Sequence, residues 1–118
     1  MLTPLTEKQF QQQVIDLAHA FGWRVAHFRS VRVARRDGSI YHATPVQADG
    51  EGFTDLVLAH KEKRRVIFAE LKADVGRLSP NQVLWGEILD ACPGEYYVWK
   101  PVDFEDIQRI LSGQAYAK

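Results

Sequence analysis

Apolar residues recur along this chain with two periods, near 3.6 in some segments and near two in others. Phe10, Val14, Leu17, Ala18 and Phe21 form one stripe at helical spacing. Thr6 followed by Gln9 reads as a capping box that starts this helix, and Gly22 stands where it ends. Trp23–Arg29 reads as a strand. Val31 to Val46 holds Asp37-Gly38 between short β-prone pieces, so it reads as either a hairpin or a long mobile loop. Ala48–Phe53 is turn-rich. Thr54–His60 is a second strand, Lys61–Arg64 a polar turn, and Arg65–Lys72 a third strand. Val66, Ile67 and Phe68 mark that third strand as central and buried. After a loop over Ala73–Leu78, Ser79-Pro80-Asn81-Gln82 starts a helix: serine caps, proline takes the first helical position and glutamine returns to the cap. Leu84, Trp85, Ile88 and Leu89 are the expected buried face. Pro93-Gly94 stops this helix, Glu95–Lys100 is a strand, and Asp103 starts a last helix bearing Phe104, Ile107, Ile110 and Leu111. The tail after Gly113 is expected to fray.

The order is α-β-β-β-α-β-α with an extra hairpin allowed at 31–46. That predicts one α/β domain over residues 1–118 with a mixed central sheet flanked by helices. The 118 residues suffice for one core. The longest stretch free of Asp, Glu, Lys and Arg is the eleven residues Gly38–Ala48, against the roughly 20 a bilayer span needs. A membrane partner is therefore not expected. No secretory signal is legible at the N-terminus. The single cysteine, Cys92, excludes an internal disulfide and reads as a small buried hydrophobe. A reducing, cytoplasmic setting is the expectation.

Net charge is zero but unevenly placed. Leu17–Arg36 holds five arginines and no acid, Asp37–His60 four acids and no base, and Lys61–Arg77 six bases against three acids. Cations for phosphates beside carboxylates for a metal would suit an enzyme of nucleic acids. A merely uneven solvated surface has the same composition.

The chemistry concentrates in Asp55, Glu70 and Lys72. Glu70 and Lys72 are two apart on one strand and so share a face. If that strand pairs with its predecessor as a hairpin, Asp55 comes near Glu70. Two carboxylates and the Leu71 carbonyl then offer an all-oxygen site suited to Mg²⁺ or Mn²⁺. Lys72 beside it could orient a water or stabilise charge on a phosphate. A cross-strand salt pair uses the same residues. The buried Val-Ile-Phe start of the strand favours the site, because charges at its end must be compensated. Glu7 shares a helix face with Phe10 and Val14. It either serves the helix dipole or reaches the metal, directly or through water. Gln82 either closes its capping box or contacts an active-site water or phosphate. Arg77 and Ser79 precede the same helix in a loop next to Lys72, a substrate-facing position. His27 is more simply structural, and His19, His42 and His60 lack ligand spacing.

The runs GFTDLVL, FAELKADVGRLSPNQVLW and YYVWKP resemble the VRR-NUC family of the PD-(D/E)XK nuclease superfamily. The stretch TEKQFQQQVIDLAHAFGWRVAHFR is similar to the family's opening helix and strand. The resemblance implies a restriction-endonuclease-like fold and a metal-dependent DNA endonuclease. Asp55 would be the metal-binding aspartate, Glu70 and Lys72 the (D/E)XK pair, Glu7 the acid of the first helix and Gln82 the glutamine of the later one. Asp55, Glu70, Leu71 and Glu7 would then serve Mg²⁺ or Mn²⁺. Stand-alone members from phages and bacteria resemble Holliday-junction resolvases and are expected to be homodimers, whereas related domains at the end of a larger DNA-repair nuclease act as monomers on flaps. Branched DNA, junction or flap, is the implied partner, with a homodimer expected. Thr54 replaces the family's usual proline before Asp55. The segment 30–49 is least like the family; it would extend a dimer surface or hold DNA through Arg32, Arg35 and Arg36, with Arg29 just before it. A non-catalytic DNA-structure-binding protein on the same fold is the alternative, and a purely structural interaction protein a third reading.

Overall fold

The computed structural model describes residues 5–28, 31–43 and 46–113. Helix α1 (Glu7–Ala20) starts from a closed capping box: the Gln9 amide donates to Thr6 Oγ1 at 3.1 Å and the Thr6 amide to Gln9 Oε1 at 3.0 Å. Strands β1 (Arg24–His27), β2 (Val31–Ala34), β3 (Ile40–Ala43), β4 (Leu56–His60) and β5 (Arg65–Leu71) follow. Helix α2 (Pro80–Asp90), strand β6 (Glu95–Trp99), a 3-10 turn over Pro101–Asp103 and helix α3 (Phe104–Ser112) complete the order. Of the two readings of 31–46, the hairpin is the one adopted, as the separate ribbon β2–β3. The expected Arg29 end of the first strand and the tail beyond Gly113 lie outside the described residues.

The main sheet runs β1-β4-β5-β6. β1, β4 and β5 are antiparallel neighbours, and β6 joins β5 in parallel after the α2 crossover. The sheet is mixed and helix-flanked, compatible with a restriction-endonuclease-like fold. Alternation along β5 sorts the two faces. Ile67, Ala69 and Leu71 join Leu56, Leu58, Trp23, Phe10, Val14, Ile107 and Leu111 in the core with α1 and α3. Phe68 and Glu70 face α2. β5 is central, as its apolar start suggests, but Val66 is exposed rather than buried.

Two features of α2 correct the sequence expectation. Leu84 and Ile88 are 54% and 48% exposed, and the buried residues of the helix are Gly86 and Leu89. The seat is chosen by Gly86: a Cβ there would lie 2.6 Å from the Tyr96 hydroxyl, so the helix backbone rests directly on β6. Trp85 is half-buried, its indole N–H donating to the Asp49 carbonyl at 3.0 Å. Cys92, beyond the helix end, is exposed and not a core residue.

At the opposite end of β5 a buried polar network ties three elements. Arg65 donates from Nε to Glu95 Oε2 at 2.7 Å and from Nη2 to Glu95 Oε1 at 2.6 Å. Its Nη1 donates to the Ile110 and Gly113 carbonyls, both at 2.9 Å, at the C-terminus of α3. Trp23 Nε1 donates to the Leu111 carbonyl at 2.9 Å, and the Tyr97 hydroxyl to Glu95 Oε1 at 2.9 Å. The last carbonyls of α3 thus meet cationic or N–H donors instead of water. The Glu95 carboxylate raises the Arg65 guanidinium above its ordinary value by hydrogen bonding.

Candidate active site

Asp55 stands one residue ahead of β4, on the end of the β4–β5 hairpin far from its turn. Its carbonyl accepts from the Phe28 amide at 3.0 Å, anchoring it to β1. Thr54 before it is buried and donates from Oγ1 to the Leu56 carbonyl at 3.2 Å, which fixes the start of the strand without a proline ring. The preceding loop is held by Phe53, which meets Phe28, Phe68 and Trp85 edge-on at 5.4, 6.1 and 4.9 Å. Gly52 in that loop has φ +84°, and a Cβ there would lie 2.6 Å from Asn81. Only glycine lets this loop rest on the N-terminus of α2.

The β4–β5 register ends at Leu56 opposite Ala69. Beyond it the Leu71 amide has no ladder partner on β4 and donates instead to Asp55 Oδ2 at 2.8 Å. Amide and carbonyl of one strand residue point to the same side, so the Leu71 carbonyl is directed toward the Asp55 edge. Glu70, 2% exposed, accepts from Gln82 Nε2 at 2.9 Å, and Lys72 Nζ lies 4.0 Å from the same Oε1. Gln82 closes its capping box and also binds Glu70. Its Oε1 accepts from the Ser79 amide at 2.8 Å, closing the capping box of α2, while its Nε2 holds Glu70.

Burial and then the charge of Asp55 push the Glu70 carboxyl up to about 9, with a hydrogen bond to Asp55 adding to the rise and Lys72 opposing it. Two carboxyls this close in a poorly hydrated place keep a shared proton. Burial also raises Glu7, with Lys72 pulling it down and Asp55 pushing it up. Glu7 therefore lies within electrostatic reach of the site. Among the described residues no three Asp, Glu, His or Cys side chains cluster closely enough to hold a cation by themselves. Ser79 is the exposed N-cap of α2, bonded to Gln82, and Arg77 is exposed in the loop before it; Arg35 and Arg36 are exposed on the ribbon, and Arg32 lies on β2. Arg29 is outside the described residues. His60 is structural: Nδ1 accepts from the Lys63 amide at 3.2 Å, so Nε2 carries the proton given to the Phe21 carbonyl at 3.1 Å. Tyr96 is a neighbour the motifs do not point to. Burial, Glu70 and Asp90 raise its hydroxyl, and only the alternation of β6 opposite Phe68 would have placed it on this face.

The model of the VRR-NUC domain matches residues 32–102, more than half of the chain and all of Asp55, Glu70, Lys72 and Gln82. The chain belongs to the VRR-NUC family. That family is part of the PD-(D/E)XK nuclease superfamily, so the domain is of a nuclease type that processes DNA. No curated protein and no solved structure matches the chain. The match begins after α1, so Glu7 rests on the structure's electrostatics alone.

The donor set fits a hard divalent cation. Asp55, Glu70 and the Leu71 carbonyl supply only oxygens, which suits Mg²⁺ or Mn²⁺ with its remaining positions on water and phosphate. The pair of buried Glu70 and half-buried Asp55 carries more negative charge than Lys72 offsets, since Glu70 otherwise retains a proton far above the usual carboxylate range. A divalent cation would replace that proton.

Proposed function

We propose that this VRR-NUC domain is a Mg²⁺- or Mn²⁺-dependent endonuclease that hydrolyses phosphodiester bonds in branched DNA. The observation that carries the reading is the convergence of buried Glu70 with Asp55, Lys72 and Gln82 at one sheet end. Asp55, Glu70 and the Leu71 carbonyl hold the metal, which supplies charge neutralisation at the phosphate and a lowered water pKa. Glu7 acts on the same centre through water. Gln82 fixes the Glu70 carboxylate, leaving Oε2 free of that bond. Lys72 presents its ammonium where the attacking water or the charge growing on phosphorus needs it. Arg77 and Ser79, at the start of α2, contact the phosphate backbone, as do Arg29 and Arg32. Structure-selective binding suits this surface better than base readout, because among the described residues no helix is presented as a recognition element.

A symmetric homodimer would set two such sites across a branched duplex. The outward face of α2 supports it: Val83, Leu84 and Ile88 are an exposed aliphatic strip beside the Asp49–Glu51 loop. The function belongs to DNA replication, recombination or repair in a bacterial or phage-infected cytoplasm.

The test is cleavage of a labelled four-way junction, a 5′ flap and a plain duplex with Mg²⁺ or Mn²⁺, with Lys72→Ala in parallel. Paired nicks on the junction, abolished by the substitution, are expected. Cuts confined to the flap keep the nuclease and discard the junction. Tight DNA binding with no metal-dependent cutting would instead favour a non-catalytic binder of DNA structures.

A further inference from the structure

We propose that the β2–β3 ribbon is an arm that enters the major groove of a duplex limb of the substrate and holds it beside the active site. This rests on the nuclease reading above and extends it to how the duplex is held. The two strands pair only with each other, at Val31–Ala43 through Ala34–Ile40. An isolated two-stranded hairpin is marginal in water, so a ribbon kept apart from the main sheet calls for a partner.

The ribbon's chemistry selects a polyanion. Its described acid, Asp37, is consumed in its own turn: Oδ1 accepts from the Ser39 amide at 2.9 Å and from Ser39 Oγ at 2.6 Å. Those bonds hold its carboxyl below the usual range, so it stays anionic and internally paired. Arg35 and Arg36 precede it, exposed. The Arg35 guanidinium lies 4.2 Å over the Tyr41 ring, a cation–π contact that stiffens the long side chain. Ile40 and Tyr41 add exposed apolar surface, which can pack in a groove without base-specific hydrogen bonds.

Size selects the groove. Four-residue strands span roughly 13 Å, and two strands about 4.8 Å apart with their side chains approach about 12 Å in breadth. The major groove is about 12 Å wide and admits a two-stranded ribbon, whereas the minor groove at about 6 Å does not. Position selects the role. β1 ends at His27, the next amide, that of Phe28, is bonded to the carbonyl of Asp55, and β2 begins at Val31, so the arm springs from within a few residues of the candidate metal ligand.

The test uses the full chain carrying Lys72→Ala, so that DNA is bound and not cut. A fluorescent duplex and a four-way junction are titrated by anisotropy at several salt concentrations, with Arg35→Ala/Arg36→Ala, Arg35→Lys/Arg36→Lys and Tyr41→Ala. The alanine pair is expected to weaken binding at least tenfold and to flatten the log K against log salt slope by about two, at roughly 0.9 for each phosphate no longer neutralised. The lysine pair should retain most of the slope. Guanine N7 protection from dimethyl sulfate, a major-groove readout, should appear with the parent protein and disappear with the alanine pair. Thermal melting checks that these exposed substitutions leave the fold intact. Unchanged affinity, slope and N7 protection would overturn the arm while leaving the nuclease reading standing. Loss of dimerisation in light scattering with unchanged DNA binding would also overturn it, and assign the ribbon to a second copy. A parent protein that binds no DNA would fail the nuclease reading itself.

Discussion

Replacing Glu70 by glutamine should make the metal-free protein more stable at alkaline pH while removing its capacity for catalysis. The physical basis is the shared proton. In the metal-free fold Glu70 keeps its proton up to about 9, against 4.5 for an ordinary glutamate. Between those values the folded chain binds a proton that the unfolded chain has released. Stability contributed by this group is therefore present in full below 4.5 and is lost as pH rises through about 9. One proton of difference gives a slope of about 1.4 kcal/mol per pH unit, so roughly 2–3 kcal/mol is lost from about pH 6 to about pH 8. Glutamine is neutral throughout and offers N–H in place of O–H to Asp55, so it removes this slope. Urea denaturation in a chelating buffer at about pH 6, 7 and 8 measures it. The difference between wild type and Glu70→Gln should grow with pH by that amount, and millimolar Mg²⁺ should shrink the wild-type slope. Glu7, raised in the same direction, is common to both proteins and cancels. Parallel pH profiles for the two proteins would refute the reasoning, because Glu70 would then already be ionised in the fold.

Other outcomes follow from the same geometry. Glu95→Ala leaves Arg65, whose side chain is 5% exposed, without its carboxylate; a loss of about 3–5 kcal/mol is expected in chemical denaturation, and a loss under about 1 kcal/mol would count against the network. Gly86→Ala sets a Cβ 2.6 Å from the Tyr96 hydroxyl, so overpacking should cost about 1–3 kcal/mol despite the better helix propensity of alanine, read as a lower urea midpoint. Gln82→Ala removes the donor to Glu70 Oε1; roughly 10–100-fold weaker Mn²⁺ binding by calorimetry is expected for the loss of such a ligand-orienting bond, with no change in affinity as the contrary result.

The site was legible because its logic is local. Period-two spacing put Glu70 and Lys72 on one face, and the short turn at Lys61–Arg64 made the hairpin that brings Asp55 alongside. The capping box of Gln82 was legible too, but its bond to Glu70 was not, because it joins a helix start to a strand end 12 residues earlier. What failed was the face of α2. That helix is apolar on several sides, so periodicity does not choose among Leu84, Trp85, Ile88 and Leu89. The choice is made by a missing side chain, Gly86, meeting Tyr96 across the β6 surface, and an absent Cβ leaves no hydrophobic signal. The Arg65–Glu95 pair was hidden for another reason. Its members lie 30 residues apart on strands whose parallel register is set by the whole crossover.

The placement of the two carboxylates on one hairpin also bears on kinetics. Asp55 and Glu70 flank the rungs farthest from the turn, while His60 and Arg65 pair next to it. A hairpin that closes from its turn brings the acids together last, after most of its ladder is formed. The cost of bringing two carboxyls together around one proton is then felt on the native side of the folding barrier. A bound cation should accordingly leave the refolding rate nearly unchanged and slow unfolding, lengthening the life of the folded nuclease rather than hastening its formation.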